Sequence, residues 1–183
     1  MKKKFLILLA IIVLAGLTYG LYSFLTQEWR GNENIKYTNT KHSYSFQYSP
    51  DWNLMGDASA DILMFYNTEN PPGDGGLPVG IKMEIMALEN YDDLSLSDWV
   101  EQMSHNGPEQ EIIMQEDITI SGFKAMRKTI SPTFTDLDEG SPISIYFVKD
   151  NYIFVMNYLG REPDYSEQMG NFELILKTFN YKS

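Results

Sequence analysis

The residues of this 183-residue chain that could do chemistry are few and scattered. The densest acidic stretch is Asp136-Leu137-Asp138-Glu139-Gly140. It invites a calcium reading, because hard cations take several carboxylate oxygens from one flexible loop. An EF-hand loop, however, needs a third ligand in step before its glycine and an acid at its twelfth position. That position here holds Phe147, so Asp136, Asp138 and Glu139 are weak calcium candidates and a solvated loop is the better reading. Imidazole chemistry would fall to His42 and His105. A general base needs a nucleophile beside it and an acid to orient it, and the sequence signals neither near either histidine. Both are expected to be structural, with His105 favouring the C-terminal dipole of a helix. No serine lies in a Gly-x-Ser-x-Gly elbow, and no glycine-rich phosphate loop follows a strand. Cysteine is absent, which excludes a disulfide framework, a thiol nucleophile, Cys-based metal sites and a lipid-modified cysteine.

The charge points the same way. Setting aside Lys2, Lys3 and Lys4 leaves 11 basic residues against 25 acidic ones, a net charge of −14. Such a domain lacks the basic density that displaces counterions from phosphates, so nucleic acid is excluded as a partner. Aromatic residues make up 14% of the chain, enough apolar mass to fold where an acidic disordered tail could not.

Phe5 to Leu25 carries no charge over 21 residues, and a helix needs roughly 20 apolar residues to cross a bilayer. The three lysines before it fix the short N-terminus in the cytoplasm. Thr18-Tyr19-Gly20 offers small residues to a signal peptidase, and cleavage there would secrete the domain. Because the apolar run continues through Leu21, Phe24 and Leu25, an uncleaved single-pass anchor is expected. Cofactors other than calcium are not implied.

The exported part reads as strands, a helix, two hairpins and a closing helix. Residues 26–36 form a polar stalk and 37–183 the domain. Tyr44 to Tyr48 alternates with three aromatics on one face, Ile62 to Tyr66 is a buried run, and Val79 to Leu88 alternates again. Asn70 to Pro78 is an exposed loop. Ser95 and Asp98 form a capping box before Leu96, Trp99, Val100 and Met103, whose helical spacing predicts one buried stripe. Asn106-Gly107-Pro108 stops that helix. Ser121-Gly122 and Asp150-Asn151 turn two hairpins, Ile118 to Ile130 and Ile143 to Leu159. Asp164 and Glu167 repeat the capping pattern before the stripe Met169, Phe172, Ile175, Leu176 and Phe179. Glu173 and Lys177 face water there, at a spacing that permits an ion pair. Hairpins and one-sided helices make an α+β fold, a central antiparallel sheet flanked by helices.

Tyr48-Ser49-Pro50-Asp51-Trp52 after an aromatic strand resembles the opening of PsbP-like domains. The Ile-x-Ile-x-Gly-Phe-x-Ala-x-Arg stretch from Ile118 to Arg127 is similar to that family's middle hairpin. Tyr146 to Tyr158 and the Phe172 to Phe179 helix fit its C-terminal half, so the resemblance spans roughly Ile35 to Tyr181. It implies a PsbP-like sandwich, a fold shared by an extrinsic photosystem II subunit and a eukaryotic Ran-binding protein, both of which bind protein partners. The expected function is therefore a non-catalytic, membrane-anchored extracytoplasmic domain that binds a protein or envelope partner. The alternatives are an extracytoplasmic hydrolase whose acids and lone histidines converge only in the fold, and a calcium-dependent extrinsic subunit of a photosynthetic complex.

Overall fold

Aromatic alternation and tight turns build two antiparallel sheets in the computed structural model, which describes residues 33–67, 80–106, 111–132 and 139–181. Among these residues ten strands and two helices follow in the order β1 (Ile35–Asn39), β2 (Tyr44–Tyr48), β3 (Asn53–Met55), β4 (Ile62–Tyr66), β5 (Ile81–Glu89), α1 (Leu96–Asn106), β6 (Ile112–Ile120), β7 (Phe123–Ile130), β8 (Ile143–Lys149), β9 (Tyr152–Gly160), α2 (Asp164–Thr178) and β10 (Asn180–Tyr181). The larger sheet has the order β3-β4-β5-β9-β8-β7-β6, and the smaller is β1-β2-β10. The chain divides into two units, Met1–Asn34 and Ile35–Ser183, and these elements all belong to the second. Among the described residues no helix is long and apolar enough to cross a membrane. The Phe5 to Leu25 run, the Asn70 to Pro78 loop, Gly107-Pro108, and Asp136 and Asp138 lie outside the described residues.

Period-two alternation gives the large sheet two unlike faces. On the inner face Ile81, Met83, Ile85, Ile145, Phe147, Phe154, Met156 and Tyr158 are all buried. The small sheet and α2 cover this face, adding Tyr44, Phe46, Phe172, Ile175 and Phe179 to the same core. Rings meet at short range there: Phe147 stacks on Phe154 with centroids 4.9 Å apart, and Tyr158 stacks on Phe172 at 4.9 Å. Trp52, at the turn before β3, is buried with them and donates its Nε1–H to Gln168 of α2 at 3.0 Å. On the outer face a smaller cluster of Trp99, Val100, Ile153 and Val155 lies beneath α1.

The turns are as the sequence predicts. Ser121 and Gly122 both have positive φ, 52° and 85°, which suits a two-residue hairpin whose twist matches its strands. Asp150 takes φ 53° in the second hairpin. Four expectations are corrected. Met103 is 47% exposed, so the α1 stripe buries Trp99 and Val100 and stops short of that turn. Asp164 and Glu167 do not cap α2, whose N-cap position is Pro163 with no side-chain bond. Glu162 does that work from two residues earlier, its carboxylate accepting from the Ser166 backbone N–H at 3.2 Å and from Ser166 Oγ at 2.7 Å. Glu173 pairs with Arg127 of β7 at 3.3 Å, across the layers, and not with Lys177. The first long hairpin also begins earlier than Ile118, at Ile112, with a bulge between Ile112 and Met114.

Candidate functional site

His42 is placed by the turn between β1 and β2, which folds onto the segment preceding β4. Asn39 organises that turn: its Oδ1 accepts from the His42 backbone N–H at 2.8 Å, and its Nδ2 donates to the Ala60 carbonyl at 2.8 Å. The Thr40 N–H donates to the Ala58 carbonyl at 2.6 Å. Asp61 is thereby brought to the imidazole, 2.6 Å from Nε2, and its carboxylate also takes Lys41 Nζ at 2.7 Å. Those two partners, Lys41 first, hold the Asp61 carboxyl below the usual carboxylate range. The sequence gives His42 no acid; the fold supplies one from 19 residues away.

A histidine oriented by an acid is half of a general-base apparatus. The other half is missing, because the ring is sealed. The His42 side chain is 1% exposed, and the edge of Tyr152 sits 4.6 Å from it between centroids. Among the described residues Asp61 is the side chain that bonds the ring, and no hydroxyl does. The cluster acts as a clasp that holds the turn against the sheet. His105 lies in the last turn of α1, as expected, and its side chain is outside the described residues.

A second polar group crosses the outer face beyond the α1 cluster. Glu84, Asn157, Ser144 and Lys128 are register neighbours on β5, β9, β8 and β7. Ser144 Oγ donates to Asn157 Oδ1 at 2.8 Å, Asn157 Nδ2 donates to Glu84 at 3.3 Å, and Lys82 Nζ lies 2.5 Å from the same carboxylate. Burial lowers the Lys128 ammonium from its ordinary value. The amide that receives the Ser144 proton has no basicity, so this row does not activate the hydroxyl as a nucleophile.

The third place is an open cleft of about 650 Å³ where the start of α1 stands over β6, β7 and β8. Leu94, Leu96, Met126 and Val148 line its apolar part, and Ser95, Ser97, Asp117, Thr119 and Lys124 its polar part. The helix start is fixed as the capping pattern predicts, with the Asp98 N–H donating to Ser95 Oγ at 3.2 Å and that hydroxyl donating to the Asp98 carboxylate at 2.7 Å. The cleft opens beside β6, which among the described residues pairs with β7 alone. Ile112, Ile113 and Met114 of that strand are 47%, 56% and 41% exposed. Sequence reasoning did not single out this surface, because a strand's place at a sheet edge is set by the strand order and not by its local pattern.

Of the weak calcium candidates only Glu139 falls among the described residues, where its backbone bridges to Arg161. Gly140 beside it passes directly beneath the Tyr165 ring, where a Cβ would collide with the ring carbons. The Tyr165 hydroxyl donates to the Ser141 carbonyl at 2.5 Å, and burial pushes its pKa up to about 12. Among the described residues no group of three or more acids and histidines is arranged to hold a metal.

Residues 22–181 match the family described as PsbP-like protein. No curated protein matches the chain. Solved structures share its fold at low identity. Cyanobacterial PsbP (CyanoP) from Synechocystis sp. PCC 6803 is 14% identical with a TM-score of 0.54, over 81% of this chain and 92% of that one. LpqN of Mycobacterium tuberculosis, involved in cell envelope biogenesis, is 13% identical with a TM-score of 0.54, over 82% and 91%. The Ran-binding protein Mog1p of Saccharomyces cerevisiae is 11% identical with a TM-score of 0.50, over 81% and 95%. At such identities the likeness is one of fold.

Proposed function

Since the chain belongs to the PsbP-like protein family, we propose that it is a non-catalytic binding domain. In this reading Phe5 to Leu25 holds it to the cell membrane and the domain faces the extracytoplasmic side, where it engages a protein or envelope partner. The observation that carries the binding reading is the open surface formed by the cleft and the exposed apolar residues of β6. Exposed apolar area set among polar residues marks interaction sites, because leaving it in water is unfavourable without a partner. The sealed His42 ring supports binding over hydrolysis, since a substrate cannot reach the imidazole that, among the described residues, has an orienting acid. The apolar N-terminal run and its leading lysines support the anchor.

The test is crosslinking in intact membranes, followed by identification of the captured species, with protease added to spheroplasts in parallel. The reading expects the domain to be digested from outside, to stay in the pellet after a carbonate wash, and to yield one defined crosslinked partner. A soluble mature protein beginning near Leu21 would overturn the anchor. Hydrolytic activity abolished by His42→Ala in a folded protein would overturn the non-catalytic assignment.

A further inference from the structure

β6 ends the large sheet. Its nine residues pair with β7 on one side, and among the described residues no strand pairs with its other side. An edge strand leaves every second residue's N–H and C=O without a ladder partner, and their complement is another extended backbone. The bulge between Ile112 and Met114 twists one end of the strand and deters indiscriminate pairing there. Met114 to Ile120 stays in regular register, a run of about 23 Å at the usual rise per residue.

The side chains specify what that backbone should carry. Ile112, Ile113 and Met114 are exposed at one end, and the apolar cleft lies against Asp117 to Thr119 at the other. Glu116, whose carboxylate lies 3.9 Å from Arg127 of β7, sits between them and Asp117 stands at the rim of the cleft, both exposed. Their registers against Arg127 and Met126 put Glu116 on the α2 face and Asp117 on the α1 face, so acid flanks the edge on both sides. The acids also argue against a second copy. Antiparallel self-pairing centred on Glu116 or on Asp117 would set that acid against its own equivalent, and like charges directly opposite are destabilising.

We infer that the open edge of β6 receives an extended strand supplied by the partner protein, basic in its middle and apolar at its ends. This deepens the binding reading above and rests on it. The added strand continues the ladder, places lysine or arginine against Glu116 and Asp117, and leans one large apolar side chain over Thr119 into the cleft. The net charge of the domain favours encounter with a basic segment over an acidic one.

Amide hydrogen exchange on the full chain in detergent micelles tests this, with a capped nonapeptide of β-branched residues and two central lysines as the probe. The peptide should slow exchange across Met114 to Ile120 by about tenfold at saturation, as opening of the edge becomes coupled to release. A version with central glutamates, and a lysine version N-methylated at alternate amides, should give no protection. Asp117→Lys should reverse the preference between lysine and glutamate peptides while leaving the melting temperature unchanged. No protection by the lysine peptide would overturn the inference, and so would undiminished binding of the N-methylated form. Protection of β6 that rises with protein concentration alone would also overturn it, by showing that a second copy takes the edge. Membrane crosslinking separates this failure from that of the parent reading: a partner captured elsewhere on the domain sinks only the β6 assignment, and no partner from any position sinks both.

Discussion

The two faces of the large sheet are built from the same alternating strands and have opposite fates. The inner face is closed by α2 and the small sheet over rings that touch one another, and little of it remains accessible. Among the described residues the outer face is covered by one helix with a two-residue buried stripe, which leaves a polar row, a cleft and an open edge. A residue's worth therefore depends on the side it takes. Substitutions facing α2 should act on stability, and those facing the β6 edge should act on binding with the fold intact.

The comparison breaks most visibly at Phe172, which is fully buried against Tyr158. Phe172→Ala should cost about 3–5 kcal/mol through lost transfer energy and the cavity left behind. Chemical denaturation in detergent reads this directly, and an unchanged midpoint would mean that α2 does not close the core. Next comes the clasp. Asp61→Ala leaves the buried His42 Nε2 without its partner and should cost about 1–3 kcal/mol. Asp61→Asn keeps an acceptor there and should cost less. The pH sign is fixed by the depressed Asp61 carboxyl: its contribution is present above the ordinary carboxylate value and is lost as pH falls through the lower folded value. Stability measured between pH 5 and pH 2 should fall less steeply in Asp61→Asn than in the parent protein, and parallel curves would contradict the assignment.

Much of this was legible beforehand, and the exceptions share a cause. Tyr44, Phe46 and Tyr48 announce a buried strand face because alternation is local, and Ser121-Gly122 announces a hairpin because positive φ is local. Partners joined only by the fold were not legible. Asp61 reaches His42 through a turn pinned by Asn39, and Glu173 reaches Arg127 across two layers. The exposed Ile112 to Met114 run was not legible either, since apolar residues stay exposed where the strand order offers them no neighbour.

Smaller effects sharpen the contrast. Lys177→Ala should cost well under 1 kcal/mol, as expected for an exposed charge on the water side of α2. Glu173→Ala should cost somewhat more, because Arg127 loses the carboxylate 3.3 Å away. The smallest effect is calcium. We propose that the Asp136, Asp138 and Glu139 loop holds no tight ion, so micromolar calcium should leave the melting temperature unchanged. A bound ion at 100 times its dissociation constant would add about 2.7 kcal/mol, and a shift abolished by Asp138→Asn would establish the site.

The central claim is that binding belongs to the open side and stability to the closed one. Site-specific photocrosslinking in intact membranes tests it most directly, with the photoreactive residue placed in turn at Ile113 on β6, at Leu96 beside the cleft, and at Lys177 on α2. The account predicts the same captured partner from Ile113 and Leu96 and none from Lys177, with all three proteins melting as the parent does. Capture from Lys177 with silence at Ile113 and Leu96 would contradict it.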